Sequence, residues 1–256
     1  MEEQEMGKLL KYEWKKQHTT RMQMGITLVI GILLYGGGIF FEKGWMLGTS
    51  LAFLVLGAPL VLFYMGIESI VILNRDLKTK QSYMLWMIPK SVWEILGAKW
   101  IAEVLQMFFA FAAYSIVGLL CLLGTVQYAG QMEAIIPLIQ DLAENILQSP
   151  QAIATISWIL LLCFVGWTMI IMAGFLAVIL SRTVLLNSKA AGFLSVVLFF
   201  IIVFIVERIY GFSSNYISLY INGDCFYDLW SIIYYILSCL GLFGICGWLA
   251  DKKLSV

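Results

Sequence analysis

Six long apolar runs, separated by short polar stretches, occupy most of the chain: 22–41, 45–73, 100–126, 152–180, 190–206 and 229–250. Crossing a hydrocarbon layer of ~30 Å takes about 20 helical residues, so each run reads as a membrane span, the fifth being the shortest. Runs 45–73, 100–126 and 152–180 exceed that length and must tilt, kink or extend past the bilayer. Pro59 is the expected kink in the second, because proline removes a backbone donor and crowds the preceding turn. The predicted fold is an all-α integral membrane protein, one transmembrane domain over 1–256 with six transmembrane helices.

Ahead of the first run, Met6, Leu9, Leu10 and Trp14 recur at helical spacing, with Lys8, Lys11 and Lys15 on another face. That pattern predicts an interfacial helix over 6–18, with Leu10 and Trp14 on its apolar side. The plainer reading is a basic flank that sets topology. The first run is of full spanning length and no small-x-small cleavage pattern follows it, so it is expected to stay in the mature protein.

Composition agrees with this pattern: 61% of the 256 residues are apolar and 12% are charged, against roughly 25% charged in an average soluble domain. Sixteen basic and sixteen acidic residues cancel, which gives no reason to expect nucleic acid as a partner. Their placement is more informative. The stretches before the first run, after the second, after the fourth and at the C-terminal end hold 14 of the 16 basic residues; the opposite set holds Lys43 and Arg208. Lysine and arginine are retained on the cytoplasmic side during insertion, so both termini are expected in the cytoplasm. The expected location is a bacterial plasma membrane, crossed several times.

Several chemistries are disfavoured. His18 is the sole histidine, and the five cysteines form no C-x-x-C pair, so no metal site is expected. No G-x-x-x-x-G-K-[ST] segment occurs, and the chain is not expected to be an enzyme or to bind a cofactor or nucleotide itself. Ion-coupled carriers keep ionisable groups near the midplane; here the deepest acids are Glu68 and Glu103, near span ends. For Glu68 two readings stand, a partner for Lys99 or another cation at the membrane edge, and a proton-relay carboxylate.

Segment 74–99 carries the most local detail. Leu77, Met84, Leu85 and Ile88 share a helical face while Lys78, Gln81 and Ser82 lie elsewhere, and Pro89 disfavours continuation. A short surface helix is expected there. Ser91-Val92-Trp93-Glu94 then has the S-x-x-E capping-box form, so the third membrane helix is expected to begin near Val92. On the other side of the membrane, 207–228 is rich in aromatics, including Tyr210, Phe212, Tyr216, Tyr220, Phe226 and Tyr227. These read either as an external gate or as an aromatic belt.

With these residues in view, the chain resembles the membrane subunits of ABC-2 type transporters, which have six spans and an N-terminal interfacial helix. The likeness lies in Glu68, Asp76, the run Leu85-Trp86-Met87-Ile88-Pro89-Lys90-Ser91, Gly97-Ala98-Lys99, and the ending Leu249-Ala250-Asp251-Lys252-Lys253. Trp86 and Met87 depart from the family's smaller residues. The resemblance implies a permease that works as two copies, or with a related permease, and docks a cytoplasmic ABC ATPase subunit that binds ATP and Mg. It maps ATPase coupling onto Asp76, Lys78, Gln81, Ser82, Leu85 and Ile88, with Arg182 and Lys189 in the second contact. No Glu-Ala-Ala importer loop is visible, so export of a hydrophobic or amphipathic peptide, drug or lipid is expected. An ion-coupled secondary transporter and a membrane anchor for a regulatory partner are the alternatives.

Overall fold

The structure, a computed structural model, describes residues 2–77, 91–128, 150–184, 191–217, 219 and 228–254. Its helices are α1 (Glu2–Lys16), α2 (His18–Phe40), α3 (Gly44–Asp76), α4 (Val92–Tyr128), α5 (Pro150–Val184), α6 (Ala191–Ser214) and α7 (Leu229–Leu254). Helices α2 to α7 are long and apolar enough to cross a bilayer, and no strand occurs among the described residues. This is an all-α architecture of multi-pass membrane type.

The boundaries show where local chemistry overrides hydropathy. Helix α2 begins at His18, ahead of the apolar run, and only Gln17 separates it from α1. Pro59 lies inside α3 without ending it. Helix α4 starts at Val92, where the backbone N–H of Glu94 donates to Ser91 Oγ at 3.2 Å, the serine half of the expected capping box. Helix α6 continues to Ser214, past the end of its apolar run at 206.

The turn between α2 and α3 is a Schellman motif. Glu42 N–H donates to Ile39 O at 3.2 Å and Lys43 N–H to Gly38 O at 3.1 Å. Both bonds satisfy carbonyls that the ending helix leaves open. Glu42 occupies the left-handed position at φ 52°, where glycine is usual. Gly38 is needed for the return of the chain, because a Cβ there would lie 3.0 Å from the backbone nitrogen of Leu47.

The chain divides into two compact units, one of Met1–Glu68 with Ile101–Ser149 and one of Ser69–Trp100 with Pro150–Val256. In the first, Leu28, Leu54, Tyr114 and Cys121 form a buried cluster flanked by Met24, Tyr35, Leu51 and Val117. Tyr114 is held by a 2.5 Å hydrogen bond with Thr27 Oγ1, which satisfies its hydroxyl inside apolar surroundings. In the second, α5 packs on both α6 and α7. All nine residues from Ile171 to Ile179 of α5 are buried, as expected of a helix surrounded by protein. Half of its spanning segment is buried, against 11% for α2 and for α6.

Candidate functional site

The second unit gathers polar side chains where the ends of three helices come together. The last turn of α3 supplies Asn74 and Asp76, α4 supplies Lys99, and the last turn of α5 supplies Ser181 and Arg182. Lys99 Nζ lies 2.5 Å from Asp76 Oδ2, and the two side chains are only 3% and 4% exposed. Removing both charges from water is costly, and their attraction in a low-dielectric site offsets that cost only with close geometry. Such a pair fixes the position of α4 against α3 more than it adds net stability. Beside it, Asn74 Oδ1 accepts from Arg182 Nε at 3.0 Å and from Arg182 Nη2 at 2.6 Å. The acceptor is a neutral amide, so this contact orients the guanidinium without neutralising it.

These bonds bracket segments 78–90 and 185–190. Asp76 lies just before the first segment, Ser91 and Lys99 follow it, and Arg182 lies just before the second. Asn74 was not singled out by the sequence. Its signal was its place two residues before Asp76, but an asparagine at a helix end is ordinarily a cap or turn residue.

Of the residues the sequence assigned to coupling, Asp76 and Arg182 are brought into this cluster, both buried. Asp76 is therefore an internal anchor, with its carboxylate turned to Lys99. Lys78, Gln81, Ser82, Leu85, Ile88, Pro89 and Lys189, together with the expected surface helix, lie outside the described residues. Lys99, one of the cations offered as a partner for Glu68, is paired with Asp76. Glu68 is half-buried, and its Oε2 is enclosed with no hydrogen-bond partner among the described residues.

Glu103 belongs to a separate polar contact in the first unit. It is buried, and its Oε2 accepts from Gln17 Nε2 at 3.1 Å, which joins the α1–α2 junction to α4. Glu13, Gln17 and Thr20 form one buried stripe at i, i+4 and i+7. The expected apolar residues flank it: Leu10 and Trp14 are half-buried, and Trp14 meets Phe109 edge to face at 5.7 Å. Arg21 lies 4.6 Å above the Trp14 ring. A search for apolar periodicity passes over this stripe because its members are polar.

A third cluster joins the end of α6 to the start of α7. Ser231 Oγ donates to Asp228 Oδ2 at 2.6 Å, Tyr210 OH lies 2.6 Å from Ser231 Oγ, and the Trp230 backbone N–H donates to Asp228 Oδ1 at 3.1 Å. Tyr210 stacks on Tyr235 at 5.4 Å, and Tyr235 OH donates to Glu207 Oε1 at 3.3 Å. Phe212 and Tyr216 pair at 5.0 Å, while Tyr220, Phe226 and Tyr227 lie outside the described residues. Tyr210 and Tyr235 fasten the two helix ends together.

No protein-family model, characterised protein or solved structure matches the chain.

Proposed function

We propose that this chain is the membrane-spanning permease subunit of an ATP-driven exporter of the ABC-2 type. It has both termini in the cytoplasm and moves a hydrophobic or amphipathic substrate outward. ATP and Mg are bound by a separate cytoplasmic ATPase subunit that docks on segments 78–90 and 185–190.

The observation that carries this reading is the buried cluster Asn74, Asp76, Lys99 and Arg182, which joins the helix ends flanking both segments. Coupling requires that ATP binding bias the helices through contacts that differ between two states. A cluster rooted in α3, α4 and α5, at helix ends that flank both segments in the chain, supplies a rigid route for that bias. The low burial of α2 and α6, 11% of each spanning segment, leaves surface for lipid and for a second permease copy. The bonded aromatic cluster between α6 and α7 fits a closed external gate.

Co-expression with a candidate ATPase subunit tests the proposal. ATP hydrolysis stimulated by the permease, and lost when segment 78–90 is replaced by a Gly-Ser linker, is the expected result. A permease that never copurifies with an ATPase and transports in ATP-free vesicles would overturn it. The enclosed Glu68 oxygen favours one alternative, an ion-coupled carrier. In that case Glu68→Gln abolishes proton-driven uptake into such vesicles.

A further inference from the structure

The α1–α2 junction has a buried side and an exposed, basic side. Its buried stripe is polar: Glu13, Gln17 in the following turn and Thr20 at the start of α2 point inward, and Gln17 Nε2 donates to Glu103 of α4 at 3.1 Å. At 100° per residue, Lys8, Lys11 and Lys15 fall on the side of the helix opposite that stripe. All three are exposed, as is Tyr12 between them. Glu13 is the one acid in 6–16, and it is turned to the buried side. The outward face of this stretch is therefore cationic, and the contact with α4 fixes which way it points.

That face adjoins the start of a candidate membrane span. Gln17 alone separates α1 from α2, whose apolar length suffices to cross the membrane. A helix this close to the start of a span lies within the headgroup layer, where the negative surface potential attracts basic side chains. Tyr12 and the half-buried Trp14 are the side-chain types that settle at that depth.

We infer that Lys8, Lys11 and Lys15 form a binding face for the headgroups of anionic phospholipids. Gln17–Glu103 acts as the latch that presents it. Lipid phosphate bridges successive lysines, while the acyl chains lie along α2, whose Met22, Ile26 and Val29 are exposed. Each lysine near a charged surface contributes about fivefold in affinity, and the three together roughly 100-fold. The inference rests on the membrane reading alone and needs neither ATP nor a transported substrate.

The test uses the full chain in neutral detergent, titrated with dioctanoyl phosphatidylglycerol and, separately, with dioctanoyl phosphatidylcholine. Bound lipid is counted by native mass spectrometry. The wild type should take the anionic lipid at least tenfold more tightly than the zwitterionic one. The K8Q/K11Q/K15Q variant should lose about 100-fold of that affinity, and K8R/K11R/K15R should keep it. K252Q/K253Q, which removes a basic pair at the other end of the chain, should bind as wild type does. Equal binding of the two lipids, undiminished binding by the glutamine variant, or an equal loss in K252Q/K253Q would overturn the assignment. Glycerol phosphate that competes as well as the intact lipid would also overturn it, by showing a site for free anions.

Discussion

Lys99 and Asp76 stand 23 positions apart in the chain, yet their charged atoms meet at 2.5 Å in a site almost closed to solvent. An aspartate at a docking surface tolerates charge reversal with little change in stability; this buried one should not. Asp76→Asn removes the carboxylate that faces a buried ammonium, and breaking such a pair costs about 3–5 kcal/mol. Asp76→Leu combined with Lys99→Met should recover most of that loss, because it removes both buried charges. Denaturant unfolding in detergent measures each variant. Equal stability of Asp76→Asn and wild type would mean that the pair is not formed. Any effect of Asp76 variants on ATPase docking is therefore to be read beside their stability.

Glu42 holds a left-handed backbone at φ 52° in the α2–α3 turn. A residue with a Cβ is disfavoured there by roughly 1–2 kcal/mol. Glu42→Gly should raise stability by about 1 kcal/mol, and Glu42→Val should lower it, since a β-branched side chain adapts worst to this conformation. Thermal unfolding of the two variants gives the sign directly. A destabilised glycine variant would contradict the turn.

Three glycines at regular spacing in α7 behave differently. A Cβ on Gly247 would run into the ring of Trp93 in α4, whereas Gly241 and Gly244 have nothing within 4 Å. Gly247→Ala should cost about 1–3 kcal/mol by overpacking, and Trp93→Leu should relieve part of that cost. Gly241→Ala and Gly244→Ala should be close to neutral. If all three substitutions cost the same, Gly247 has no special contact with Trp93.

The membrane-crossing helices were legible because hydropathy over 20 residues is a strong signal and backbone bonding in lipid leaves few alternatives. The start of α4 was legible too, since Ser91 and Glu94 form a local pattern that folds locally. What stayed hidden depends on which helices meet. Nothing in the sequence pairs Asp76 with Lys99 in preference to Glu68, because the choice follows from the packing of α3 on α4. The Glu13, Gln17 and Thr20 stripe was missed for a different reason. Interfacial helices are sought by their apolar spacing, and here Gln17 donates to Glu103 where apolar contact was expected. Asn74 became visible only once Arg182 was seen to donate to it twice.

In the proposed topology, segments 78–90 and 185–190 are on one side of the membrane and segment 129–149 is on the other. Single cysteines, introduced as Met84→Cys, Ser188→Cys and Gln140→Cys after replacement of the five native cysteines, can be labelled with an impermeant maleimide in intact cells and in inverted vesicles. The account predicts that positions 84 and 188 react only in inverted vesicles and position 140 only in intact cells. Labelling of 84 and 188 from opposite sides, or of 84 and 140 from the same side, would contradict it.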